Sequence, residues 1–205
     1  MPTLRYVLVV TGRTYHHGNL RADLLARAWD VVDADGVEDL SLRRLARDAG
    51  VSHGASARHF RDRQALIDAV AVEGFSRLNS ALTDAVDLPE SYAERFSAAA
   101  HAYVRFAVQH PRVLRTMYAA KHHPAASPEL VTVSHVAMPA LVALIAAAQS
   151  AGELPAGEAE EAALVAFAAV HGVASLATDD LLGEVPWEDA TAAAVATVWL
   201  GLASR

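Results

Sequence analysis

The stretch Ser41–Phe60, SLRRLARDAGVSHGASARHF, decides how this chain is read. Leu42, Leu45, Ala46 and Ala49 recur at i, i+3, i+4 and i+7, which gathers them on one face of a short helix and leaves Arg43, Arg44 and Arg47 outside it. Gly50 is where such a helix stops, because glycine takes left-handed backbone cheaply. Val51 then fills the angle between two helices, and Ser52 is a good N-cap for a second helix over His53–His59. Helix, glycine turn, and a second short helix with a small, polar face is the sequence form of a helix-turn-helix.

The flanks extend the pattern. Asn19 can cap a helix over Leu20–Ala34 whose core stripe is Leu24, Ala28, Val31 and Val32, with Trp29 beside it and Gly36 ending it. Asp62 is a fitting N-cap for Arg63–Val86, where Leu66, Ile67, Val70, Val72, Phe75, Leu78 and Leu82 follow a helical period. A helix of that length spans about 36 Å, enough to leave a small head and enter a larger body. Leu88-Pro89 marks a boundary, and Pro89 suits the first turn of a helix over Glu90–Gln109. Further helices are expected over Arg112–Lys121, Pro128–Ser150, Glu158–Leu182 (ended by Gly183) and Pro186–Ala203. Within the second of these, Pro139 lacks an amide donor and frees the carbonyl of His135, producing a kink that either opens a cavity or simply bends a packing helix.

Taken together, Ser41, Arg44, Leu45, Ala46, Ala49-Gly50-Val51-Ser52, Gly54, His59-Phe60, Asp62-Arg63 and Leu66 run without a gap. Over roughly residues 15–75 they resemble the DNA-binding domain of the TetR family of bacterial repressors. The resemblance implies an all-α protein of about nine helices in three parts. These are an N-terminal arm (1–14), a three-helix helix-turn-helix head (15–62), and a helical-bundle body for ligand binding and dimerisation (63–205). It implies a cytoplasmic regulator, acting as a repressor, that binds a palindromic double-stranded DNA operator as a homodimer and is released by a small-molecule effector. Dimerisation would use the last two helices, about 158–182 and 186–203. Val170-His171-Gly172 also resembles a subgroup with His-Gly at this place in the C-terminal domain.

The second helix, His53–His59, would enter the major groove. Its N-cap Ser52 and its residue His53 are at the leading end, Gly54 allows close approach, and Ser56 and Arg58 can donate to base edges. Tyr15, His16, Ser41, Arg43, Arg44, His59 and Arg63 would hold phosphates, which sets register without choosing sequence. The family usually has a large apolar residue and then a tyrosine where this chain has Ser56 and Ala57. Ala57 either lacks that tyrosine's anchoring contact or makes an apolar one with a thymine methyl. Residues Met1–Gly12 read equally as a DNA-reaching arm or as an unstructured terminus.

Composition fits this division. The net charge is −7. Residues 1–63 hold ten Arg against eight Asp and Glu, a balance of +2, so the remaining residues carry −9. A basic head on an acidic body is the sign asymmetry of a nucleic-acid binder, although ordinary solvated surface has the same bookkeeping. There is no cysteine, which excludes disulfides and thiolate metal sites. The apolar patch Tyr6–Val10 is too short for a membrane span, and Val136–Ala148 and Ala162–Ala177 are alanine-diluted and read as buried helices, so no membrane partner is expected.

No nucleophile elbow, phosphate loop, dinucleotide fingerprint or His-Glu-x-x-His occurs, so neither catalysis nor a cofactor or metal is expected. A helical enzyme built on the scattered histidines, or an interaction protein with weakened DNA binding, are the other classes. Tyr103, Phe106, Met117, Tyr118, Met138, Phe167 and His171 lie on apolar helical faces and would line an effector pocket if they are not plain core.

Overall fold

The computed structural model describes residues 20–87 and 90–204. The expectations for the N-terminal arm, Tyr15, His16, the Asn19 cap and the Leu88-Pro89 boundary lie outside them. Among the described residues all regular structure is helical. The head comprises α1 (Leu20–Ala34), α2 (Leu42–Asp48) and α3 (His53–Ala57). Then α4 (Arg63–Val86) leads into a body of α5 (Tyr92–Gln109), α6 (Pro111–Lys121), α7 (Pro128–Ser134), α8 (Ala137–Ser150), α9 (Ala159–Thr178) and α10 (Trp187–Ala203).

Local chemistry sets most boundaries. Ser41, Ser52 and Asp62 cap α2, α3 and α4, each side chain accepting the amide three residues on. After α2, Gly50 sits at φ 69°, its amide reaching Arg47 O and that of Val51 reaching Ala46 O, a Schellman ending. The helix α3 is shorter than expected: regular structure ends at Ala57, and Arg58 is its C-cap. The helix α5 starts at Tyr92 rather than Glu90, because Ser91 and Glu94 close a capping box. Glu153 adds a carboxylate that accepts from the Tyr92 amide.

The expected helix Pro128–Ser150 is divided at His135–Val136, one turn before Pro139. The break leaves Pro139 in the first turn of α8, where an amide has no intrahelical partner to lose. Counted as one broken helix, α7 and α8 bring the total among the described residues to the nine expected. By length and composition Pro128–Ser150 and Ala159–Thr178 would qualify as membrane spans. The break leaves α8 with 14 residues, short of the roughly 20 a bilayer requires, and α9 packs against α5, α8 and α10.

A further correction concerns the end of α9. It stops at Thr178, not Leu182: Asp180 takes the left-handed conformation (φ 57°) and the Leu181 amide returns to Leu176 O at 2.8 Å. Gly183 therefore does not end it, and Pro186 is the N-cap of α10 rather than its first residue.

One continuous core runs through both parts. In the head, Leu24, Ala28, Val32, Leu40, Leu45 and Phe60 pack with Leu66 and Val70 from the start of α4. In the body α4 lies against α5, α6 and α7. At its Gly74 the side chains of α6 press close: a Cβ there would stand 2.5 Å from Met117 Sδ.

Candidate functional site

Head surface. The capping serines and the Schellman turn hold α3 at the surface, and Ser52, His53, Gly54, Arg58 and His59 are all exposed. So are Ser41, Arg43 and Arg44 on the neighbouring α2. Ala57 is half-buried. A Cβ on Gly54 would meet nothing within 4 Å, so open space lies over the start of α3. Arg44 Nε is 3.8 Å from Asp48 Oδ2, a loose pair with both side chains about half exposed.

Two expected contacts are corrected by the geometry. Ser56 is fully buried and its hydroxyl donates to His53 O at 2.8 Å, so it is spent inside α3 and does not reach a base. Arg63, although exposed, folds back along the head, Nε donating to Leu40 O at 2.9 Å and Nη2 to Val37 O. It ties the start of α4 to the loop before α2 instead of facing a phosphate. Sequence position alone does not separate an outward arginine from one folded back onto carbonyls 23 and 26 residues earlier.

Joint between head and body. His110, between α5 and α6, brings Nδ1 within 2.9 Å of Asp33 Oδ2 on α1. Asp33 is an acceptor when ionised, so Nδ1 carries the proton. Arg112 Nη1 donates to Asp33 O at 3.2 Å. The Trp29 ring meets His110 edge-on at 5.2 Å and lies beneath the Arg77 guanidinium of α4 at 4.1 Å. Thus α1 is clasped by both α4 and the start of α6. None of these contacts is legible from helical periodicity, which places Trp29 near a core stripe and says nothing of its partners.

Cavity. A cavity of about 210 Å³ opens between α4, α5, α6, α8 and α9. Of the expected lining residues, Tyr103, Tyr118, Met138 and Phe167 face it, joined by Phe75, Leu78, Leu82 and Val86 of α4 and Leu141 and Leu144 of α8. Phe106 and Met117 do not. Phe106 packs on His110 at the head joint (5.4 Å between rings), and Met117 is fully buried beneath Gly74.

His171 stands behind the lining. Its ring stacks on Phe167 at 5.3 Å, and its Nδ1 is 2.8 Å from the Tyr103 hydroxyl, itself 3.0 Å from that of Tyr118. Burial, and then the nearby Lys121 charge, hold the imidazole below its ordinary value. The imidazole and the two hydroxyls form one hydrogen-bonded chain, whose donor order follows the imidazole tautomer. Burial raises both phenols further from ionisation. His101, by contrast, is satisfied within its own helix by Ser97 O at 2.8 Å.

Four polar lining residues fall outside the expected set: Asn79, Thr83, Lys121 and Ser134. Asn79 donates Nδ2 to Val133 O, while its buried Oδ1 has no partner. Lys121 is the one charged residue in the lining and the only lysine in the chain. That uniqueness is visible in the sequence, but only the fold shows that it faces a cavity. Among the described residues no cluster of three metal-ligating side chains occurs.

Comparison with known proteins. Residues 24–70 match the family described as bacterial regulatory proteins, tetR family. Residues 96–200, more than half of the chain, match the tetracyclin repressor-like C-terminal domain. The chain belongs to the TetR family. Proteins of this family are DNA-binding transcription regulators and not enzymes. A solved structure of a Rhodococcus sp. RHA1 protein of unknown function is 48% identical, with a TM-score of 0.87, over 94% of this chain and 100% of that one. The TetR-family transcriptional regulator PfmR from Thermus thermophilus shares the fold at 17% identity, TM-score 0.69, over 87% and 98% of the two chains. A tetR-family regulatory protein from Rhodococcus RHA1 does so at 21% identity, TM-score 0.67, over 89% and 96%. No curated protein matches the chain.

Proposed function

We propose that this TetR-family regulator is a repressor that binds a palindromic operator as a homodimer and leaves it when a small, largely apolar molecule fills the body cavity. One observation carries the reading: α4 is a single unbroken helix whose first turns pack in the head core, through Leu66 and Val70, and whose later turns wall the cavity, through Phe75, Leu78 and Leu82. A ligand that alters the seat of the later turns therefore acts on the base of the head. The clasp of α6 on α1 through His110 and Arg112 supplies a second connection from the helix that carries Tyr118 and Lys121. Such a ligand shifts operator affinity only by its difference in affinity for the two arrangements.

In this reading α3 enters the major groove. His53, Gly54, Ala57 and Arg58 meet base edges, while Ser41, Arg43, Arg44, Ser52 and His59 hold the backbone. Dimerisation through α9 and α10 is supported by exposed Leu164, Leu176 and Leu200. The space over Gly172 and Gly201, where a Cβ would meet nothing within 4 Å, supports it too: nothing in the same chain requires glycine there, and a close-packed partner helix would. A cytoplasmic location follows from the role.

Fluorescence anisotropy with labelled DNA flanking the protein's own gene tests the proposal. The expected result is tight, salt-dependent binding with a stoichiometry of two chains per site. A chain that stays monomeric and ignores duplex at low ionic strength refutes it.

A second reading has a specific observation behind it. Ser56 fills the buried position of α3 with a small hydroxyl and Ala57 follows it, so the head lacks the bulk and the tyrosine usual in the family. An interaction protein with weakened DNA binding would show body-ligand binding and no retained duplex in the same assay.

A further inference from the structure

The proposal of an effector cavity leaves the chemistry of its occupant open, and the lining narrows it. The walls are apolar along α4 and α8, through Leu78, Leu82, Leu141 and Leu144. Against them stands a single charge, Lys121, at the end of α6, with its ammonium 4.8 Å from the centre of the Tyr118 ring. No carboxylate pairs with it among the described residues, and the neighbouring His171 and the two phenols bring no negative charge.

The chain meets its other needs for side-chain cations with arginine: 16 of its 17 basic residues are Arg. A compact ammonium in an otherwise uncharged, partly buried wall is short of an anion, because burial penalises its charge and the Tyr118 ring face and the C-terminal end of α6 offset that penalty without supplying a counter-charge. We propose that the occupant is an amphiphilic organic acid, its carboxylate paired with Lys121 and its apolar chain laid between α4 and α8. This rests on the reading of the cavity as the effector site and adds the head group that the site selects.

Three eight-carbon probes separate the possibilities: octanoate, 1-octanol and octylamine, each titrated by calorimetry into the full-length protein, with operator DNA anisotropy read in parallel. Octanoate should bind about tenfold more tightly than octanol, the ratio expected of one charge-assisted contact, and octylamine more weakly still. The preference should vanish in Lys121→Met and persist in Lys121→Arg.

Because Lys121 is the only lysine, reductive methylation with ¹³C-formaldehyde labels it alone besides the chain's α-amine. Octanoate should move its titration to higher pH, a readout that does not depend on a variant folding. Equal affinity for octanoate and octanol, tighter binding of octylamine, or an unmoved lysine titration overturns the inference. If octanol binds and releases DNA as well as octanoate does, the acid is refuted while the effector reading stands. If octanoate binds through Lys121 yet operator affinity is unchanged, the acid site is upheld and the effector reading falls.

Discussion

At the scale of single residues, the head shows how far a motif position can differ from its role. Ser56 and Arg63 both fall in the helix-turn-helix pattern, and both donate to backbone carbonyls of the head. Ser56→Ala should leave operator preference unchanged and cost about 0.5–1.5 kcal/mol of stability, the net worth of one neutral hydrogen bond. Urea denaturation beside a panel of mutated operators checks both halves. Arg63→Ala removes two charge-assisted bonds to carbonyls and should destabilise the head by about 1–3 kcal/mol. Arg63→Lys should recover little, because a point ammonium cannot reach both Leu40 O and Val37 O as a fork does. Arg44 is different: it is exposed and only loosely paired with Asp48. Arg44→Ala should weaken binding to all duplexes alike and reduce the slope of log K against log salt by about one. An unchanged slope removes it from the phosphate contacts.

At the scale of elements, α4 and α6 pack closely at Gly74. Gly74→Ala places a methyl into Met117 Sδ and should cost about 1–3 kcal/mol as an overpacked core. Met117→Ala should relieve it in the double variant, giving a coupling that chemical denaturation measures. The hydroxyl chain behind the cavity makes a pH prediction. His171 binds its proton less readily when folded than when unfolded, so between the ordinary imidazole value near 6.5 and its lower folded value the unfolded chain holds more protons. Stability therefore falls as pH drops through that window and is regained above it. His171→Gln should flatten this part of the curve in thermal melts taken across the acid range. An unaltered curve would show that another group carries it.

At the scale of the whole molecule, the unpartnered surface is concentrated on α9, α10 and the loop joining them, where Leu164, Leu181 and Leu200 are each more than 60% exposed. Ala196 is exposed on α10. Ala196→Asp should therefore split a dimer built on this face while the monomer stays folded. Analytical ultracentrifugation with far-UV circular dichroism distinguishes that outcome from unfolding, and a variant that still sediments as a dimer places the interface elsewhere. The neighbouring Val195 is only 6% exposed and belongs to the monomer core. A charge there unfolds the bundle rather than parting two subunits, so the two adjacent positions act through different equilibria.

The helices of the head, the turn between α2 and α3, and the length of α4 were written in local chemistry: capping side chains, a left-handed glycine and an apolar period, all of which act within a few residues. The all-helical class followed from those alone, and the family from the resemblance of the ungapped motif residues Ser41–Leu66 to its DNA-binding domain. Four lining residues of the cavity, Tyr103, Tyr118, Met138 and Phe167, were legible because bulky side chains on apolar faces must meet somewhere inside. Phe106 and Met117 obey the same local rule and face elsewhere, since a helix's own period does not say which neighbour it meets. The clasp of His110 on Asp33, the folding back of Arg63 onto Val37 and Leu40, the burial of Ser56 and the isolation of Lys121 depend on elements far apart in the chain. Only the packed structure decides them, because burial and pairing are properties of the space between elements and not of the elements themselves.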